Sequence, residues 1–201
     1  LHRNNVDGKG ASWGTHENYM MLRSVPFDTV AALMTAHFVS RQIYAGSGRV
    51  GIGERSETAG YQLSQRADYI HAILGLQTTF ERPIVNTRDE SHSPSDYRRL
   101  HVIVGDANRM DVPQTLKLGA TSMLLWLAEH ADETGYDLAA LLDSMALVDP
   151  VSAMHTVSHD LTLQAELPLR DGGVTNAWIM QVRLRAAVYE MGALVYGTDT
   201  R

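Results

Sequence analysis

Two histidines carry the first suggestion of chemistry. In Gly14-Thr15-His16-Glu17-Asn18-Tyr19, strand alternation puts His16, Asn18 and Met20 on one face and Glu17 and Tyr19 on the other. A strand histidine beside polar neighbours can offer a ring nitrogen to a metal or a phosphate, or it can be an edge histidine bonded to a backbone carbonyl. His101 repeats the theme within Arg98-Arg99-Leu100-His101-Val102-Ile103-Val104-Gly105-Asp106-Ala107-Asn108. Arg99, His101 and Ile103 share one face there; Asp106 and Asn108, taken alone, read as turn formers. Arg66 in Gln62-Leu63-Ser64-Gln65-Arg66 and Arg88 in Asn86-Thr87-Arg88-Asp89-Glu90 add permanently charged forks. Such forks suit phosphate or carboxylate oxygens, and equally suit surface ion pairs. The run from Gly46 through Gly48-Arg49-Val50-Gly51-Ile52-Gly53 lacks the Gly-Lys-Ser/Thr ending of a phosphate loop and opens no helix, so it reads as a turn entering a strand.

The elements that must hold these residues follow from periodicity. A strand is expected over Ala11–Arg23, then an amphipathic helix over Phe27–Tyr44, with Pro26 at its start. Short strands are expected around Arg49–Ile52 and Tyr61–Arg66, while Asp68–Leu74 fits strand and helix equally. Pro83–Pro94, rich in turn and charged residues, reads as a loop, and Arg98–Asp106 as a buried strand. Asp111 and Pro113 start a helix running to about Ala131. Shorter helices follow at Tyr136–Ser144 and Pro150–His159. A strand over Leu161–Leu169, a hairpin turn at Asp171-Gly172-Gly173 and a long helix over Asn176–Val195 complete the chain. Strands and helices mix without strict alternation, so the class is α+β.

Composition narrows the partners. The 201 residues carry a formal net charge of −6 with no basic block, which argues against non-specific nucleic-acid binding. No apolar run is long enough for a membrane helix, and no signal pattern opens the chain. The absence of cysteine excludes thiol nucleophiles, disulfides and Cys-ligated metals. Lys9 and Lys117 are the only lysines, so positive charge is almost wholly arginine. The start at Leu1, in polar, Gly-rich sequence, suggests a piece of a longer protein.

Asn4-Asn5-Val6-Asp7-Gly8-Lys9-Gly10-Ala11-Ser12, then GTHENY, SGRVGIG, QLSQRADY, NTRDE and RRLHVIVGDAN, in this order, resemble the Pup ligase/depupylase family. That family lies within the glutamine synthetase-like carboxylate–amine ligase superfamily. Asp7 to Ser12, Thr15 and the intact Gly48–Gly53 run tilt toward its depupylase branch. The resemblance implies a curved, mainly antiparallel sheet backed by helices, here incomplete. Residues 1–201 would be the central to C-terminal part of a large catalytic domain, with an N-terminal strand segment missing and a small C-terminal domain truncated.

It also implies chemistry: an ATP- and Mg²⁺-dependent hydrolase that cleaves the bond between Pup and a lysine and deamidates the C-terminal Gln of Pup. The alternatives are a Pup–protein ligase or a non-catalytic docking fragment. His16 and His101 would bind metal; Arg66, Arg88, His16, His101 and Asn18 would surround the nucleotide; Arg99, Asp106 and Asn108 would orient these groups. The family's catalytic Asp and its Gly-x-Glu-x-Glu carboxylates for Mg²⁺ have no counterpart here, so the fragment alone is expected to be inactive. Expected partners are Pup, pupylated proteins and a complementary chain supplying the N-terminal segment, in the cytoplasm. Arg23, Arg41, Arg49 and Arg55 are expected to border a groove for the acidic Pup.

Overall fold

The computed structural model describes residues 5, 12–51, 59–90 and 92–197. The described chain runs β1 (Glu17–Leu22), α1 (Phe27–Ser40), α2 (Gln42–Ala45), β2 (Arg49–Gly51), β3 (Gly60–Gln62), β4 (Ile70–Gly75), β5 (Arg82–Asn86), β6 (Tyr97–Val102) and α3 (Asp111–Thr134). It continues through α4 (Leu138–Asp143), α5 (Pro150–His159), β7 (Leu167–Pro168), β8 (Val174–Thr175) and α6 (Ala177–Tyr196). The α+β class holds, and the strands pair as four two-stranded sheets, three of them antiparallel.

The pair β1–β6 organises the molecule. Asn18 lies opposite His101 and Glu17 opposite Val102. Alternation along β1 sends Glu17, Tyr19 and Met21 inward and leaves Asn18 and Met20 outside. Tyr19, Met21, Leu100 and Val102 join Val30, Leu33 and Met34 of α1, Leu124 and Leu127 of α3, and Met180 and Leu184 of α6 in one core. Each such side chain contributes about 1.5–3 kcal/mol by leaving water. Among the described residues no helix is long and apolar enough to cross a membrane.

Three helix ends carry the residues their chemistry requires. Asp149 accepts from the Val151 and Ser152 amides at the start of α5, with Pro150 in the first turn, and Asn176 accepts from the Ile179 amide at the start of α6. At the end of α3, Gly135 takes φ 70°, the left-handed cap that glycine adopts without a Cβ clash.

Several expected elements differ. The first strand begins at Glu17 rather than near Ala11. The expected strand over Tyr61–Arg66 stops at Gln62, because the Ser64 hydroxyl accepts from the Arg66 and Ala67 amides and folds the backbone into a turn. The Pro83–Pro94 loop opens instead with strand β5, whose Pro83, Ile84, Val85 and Asn86 are all buried. The strand expected over Leu161–Leu169 shrinks to Leu167–Pro168, since the Asp160 carboxylate captures the Thr162 and Ala165 amides and coils the segment. The pair β4–β5 is parallel, with Ile70 beside Arg82 and Gly75 beside Asn86. Its connection is only residues 76–81, where Arg82 Nε donates to the Thr78 carbonyl at 3.0 Å and Glu81 takes φ 45°. Ile52, Arg55 and Ser91 lie outside the described residues.

Candidate functional site

Residue His16 immediately precedes β1, and His101 lies near the end of β6, so antiparallel pairing brings two residues 85 apart in sequence together. Their rings meet with His101 Nε2 3.3 Å from His16 Nδ1 and the ring planes at 63°. One ring nitrogen of that contact must donate and the other accept. Burial, and then the nearby Arg66 charge, lower the His16 pKa. His101 is lowered by burial, then by His16, Arg99 and Arg88, with Glu90 opposing. Both imidazoles are therefore neutral at pH 7, and because the contact uses one ring's lone pair, a single outer nitrogen, His101 Nδ1 or His16 Nε2 according to tautomer, keeps a lone pair for a ligand. The buried His101 Nδ1 has no hydrogen-bond partner.

A charged chain runs outward from the pair. On β6, Arg99 donates from Nη1 to Asn18 Oδ1 at 3.5 Å and from Nη2 to Glu90 at 3.1 Å. Arg88 approaches the same Glu90 carboxylate at 3.5 Å, and its amide is fixed by Asn86 Oδ1 at 2.9 Å. Glu90 thus bridges two arginines beside His101, a role invisible in sequence because the loop that supplies it folds back only when β5 and β6 pack together. Arg99 Nε is buried without a partner, a donor available to an anion.

The structure places Arg66 behind His16 and seals it to 2% exposure. Its Nη2 donates to the Ile103 carbonyl and its Nη1 to the Ser12 hydroxyl, both at 2.9 Å, while Nε has no partner. Burial, with Arg82 adding to it, lowers its pKa to about 10, so it stays charged at neutral pH. The guanidinium lies against Gly14: a Cβ built there would come 2.4 Å from Nε.

Asp106 and Asn108 are not at the histidine pair but in a buried network beneath Arg66. The Asp106 carboxylate accepts from the Ser47 amide at 2.8 Å and from the Gln65 amide and the Ser64 hydroxyl at 2.9 Å. Burial pushes its pKa up while these donors and Arg66 oppose. Lys117 Nζ, fully buried on α3, donates to the Asp106 carbonyl at 2.7 Å and to Asn108 Oδ1 at 2.9 Å. Asn108 in turn donates to the Ala45 carbonyl and the Ser47 hydroxyl.

Of the arginines expected to border a Pup groove, the three that lie among the described residues do not form a common surface. Arg41 is 2% exposed because inward-facing Glu17 draws it into an ion pair at 2.7 Å. Arg23 is engaged with Asp89 at 2.5 Å and Arg49 approaches Asp68 at 3.6 Å. Sequence proximity misled because Glu17 sits on the inner face of β1.

The family described as Pup-ligase protein matches residues 1–200. The chain belongs to that family. It is 53% identical over 182 residues to the Pup deamidase/depupylase of Mycolicibacterium smegmatis, covering 90% of this chain and 35% of that protein. It is 44% identical over 200 residues to the depupylase of Acidothermus cellulolyticus, covering 99% of this chain and 38% of that protein. The chain therefore spans little more than a third of the length of these curated relatives.

Two solved structures of the Pup ligase PafA share its fold. The complex with ADP matches at a TM-score of 0.79 and 35% identity, over 94% of this chain and 40% of that one. The complex with Pup matches at 0.75 and 34%, over 93% of this chain and 35% of that one. The glutamine synthetase-like class expected from the motifs is the class of this Pup-ligase family member.

Proposed function

We propose that this chain forms the phosphate-facing wall of a Pup deamidase/depupylase that binds ATP. The observation that carries the reading is the meeting of His16 and His101 at 3.3 Å, with Arg66 behind them and Arg88 and Arg99 beside them. The partnerless buried donor at Arg99 Nε fits an anion such as a nucleotide phosphate. Asn18, held toward Arg99, completes the set. Arg88 and Arg99 would bind phosphate oxygens in exchange for Glu90, and Arg66 would supply fixed charge from behind.

Mg²⁺ is a different matter. Among the described residues no group of three His, Asp or Glu side chains could hold a metal ion. Two imidazoles are a poor set for so hard a cation, which prefers six oxygens. A Mg²⁺ bound beside His16 and His101 needs phosphate oxygens and carboxylates from the remaining length of the protein, in the same polypeptide or a complementary chain. The base or nucleophile for amide hydrolysis also belongs to that remainder, so the 201 residues alone are expected to be inactive.

The identities favour depupylase over ligase: 53% and 44% to proteins so named, against 40% and 39% to proteins named Pup–protein ligase. The substrates would then be Pup and pupylated proteins in the cytoplasm. Calorimetric titration with ADP, followed by repetition with His16→Ala and Arg99→Ala, tests the wall; each variant is expected to weaken binding about tenfold, about 1.4 kcal/mol. Unchanged affinity in both would remove the nucleotide reading. With the complementary length present, release of ammonia from Gln-ended Pup marks the depupylase, whereas ATP-driven joining of Glu-ended Pup to lysine marks the ligase.

A further inference from the structure

The network beneath Arg66 has a direction. The Ser64 hydroxyl accepts from the Arg66 amide at 3.0 Å and the Ala67 amide at 3.2 Å, so both its acceptor positions are taken. Its single proton goes to Asp106 Oδ1, 2.9 Å away. The other carboxylate oxygen takes the Gln65 and Ser47 amides. Asp106 thus holds the whole turn that delivers Arg66, and does so only as an acceptor. Its carbonyl meanwhile accepts from the Thr15 hydroxyl at 3.1 Å, and the Thr15 amide donates to the Gly105 carbonyl at 3.1 Å. Thr15 is the residue before His16. Lys117 fixes the Asp106 carbonyl from α3, so the hub is anchored to the helical layer.

We propose that Asp106 is a positioning residue that sets Arg66 relative to His16: its carboxylate fixes the Arg66 turn and its carbonyl fixes the approach to His16. This rests on the reading of Arg66 and His16 as parts of a nucleotide site. The chemistry is specific to a carboxylate. An Asn side chain at 106 could keep the Ser47 and Gln65 amides on its oxygen, but its amide group would then face a hydroxyl whose acceptor positions are already filled. Asp106→Asn therefore breaks the Ser64 link while conserving shape, and Ser64→Ala breaks the same link from the other side.

The test uses the protein with its complementary length present, and two readouts. The first is the Arg66 Nε–H and His16 ring signals in ¹H–¹⁵N spectra, without nucleotide. The second is ADP affinity in wild type, D106N, S64A, the double variant, R66A, and D106N in the R66A background. Expected are shifted Arg66 and His16 signals in both single variants, an affinity loss of about tenfold in each, no further loss in the double variant, and no effect of D106N once Arg66 is gone. Should D106N fail to fold, S64A carries both readouts alone. Unmoved Arg66 and His16 signals, or an equal loss from D106N with and without Arg66, would overturn the proposal and leave the nucleotide site standing. An R66A variant that binds ADP like wild type would instead remove Arg66 from that site, and the proposal with it.

Discussion

The Glu17 carboxylate and the Arg41 guanidinium face each other at 2.7 and 3.0 Å, with both side chains sealed from water. Glu17 also accepts from the Tyr19 hydroxyl at 2.6 Å, and Arg41 donates to Thr121 Oγ1 at 3.0 Å. The pair ties β1 to the junction of α1 and α2 and to α3, and by turning Glu17 inward it turns His16 and Asn18 outward. Removing one partner strands the other charge: Arg41→Ala is expected to cost about 3–5 kcal/mol, read as a lower urea midpoint. Replacing both by methionine is expected to recover most of that loss, because no charge then stays buried.

Stability is expected to fall in mild acid, with His37 contributing. His37 Nε2 lies 3.1 Å from Thr121 Oγ1, whose own proton goes to the Lys117 carbonyl at 2.9 Å. Nε2 must therefore carry the proton, leaving Nδ1 to accept from Gln181 at 3.4 Å. Burial, then Arg41, holds the folded pKa well below the unfolded value of 6.5. Below pH 6.5 the unfolded chain takes a proton that the folded chain refuses, so stability drops by up to about 1.4 kcal/mol per pH unit until the folded value is reached. The urea stability of His37→Gln between pH 7.5 and about 5 should fall less steeply than wild type; parallel slopes would disprove the assignment.

Replacing Gly14 is expected to disturb the site through contact alone. Arg66 is pinned at both Nη atoms, so it cannot swing from a Cβ 2.4 Å from Nε. Gly14→Ala should lower stability by about 1–3 kcal/mol and weaken ADP binding. A wild-type titration would show that the guanidinium yields at no cost.

The opposite outcome is expected at Gly192. It lies inside α6 with nothing within 4 Å of a built Cβ. Gly192→Ala should gain about 0.5–1 kcal/mol by reducing backbone freedom in the unfolded chain, raising Tm in a thermal melt by about 1–4 °C.

Much of this arrangement is legible in sequence where one local rule dominates. Alternation alone put His16 and Asn18 on one face, opposite Glu17, and the helix expected over Pro150–His159 is α5 with the same bounds. The meeting of His16 with His101 was accessible only through the family motifs, since no local rule pairs strands separated by four others. Arg41 belongs to the core rather than to a groove rim because its partner, Glu17, lies 24 residues away on the inner face of β1. Strand β5 was hidden by Pro83 and by Asn86, a turn former by type that here ends a buried strand and caps the Arg88 amide. Ser64 and Lys117 carried no signal, because their roles depend on contacts across 42 and 11 residues with Asp106.

The short passage from β4 to β5 sets a limit on length change. Parallel neighbours usually need a crossover of a dozen or more residues, and this pair has six, residues 76–81. Travelling from Gly75 back to the level of Ile70 and across to Arg82 covers ~17 Å, whereas seven fully extended backbone steps reach ~23–25 Å. The slack amounts to about two residues at ~3.3 Å each. Losing three residues would leave a tether too short to reach, and Arg82 would have to slide along β4 or detach. Added residues meet no such wall, since doubling a flexible loop costs only about 0.6 kcal/mol. At this point the chain can lengthen freely but can scarcely contract.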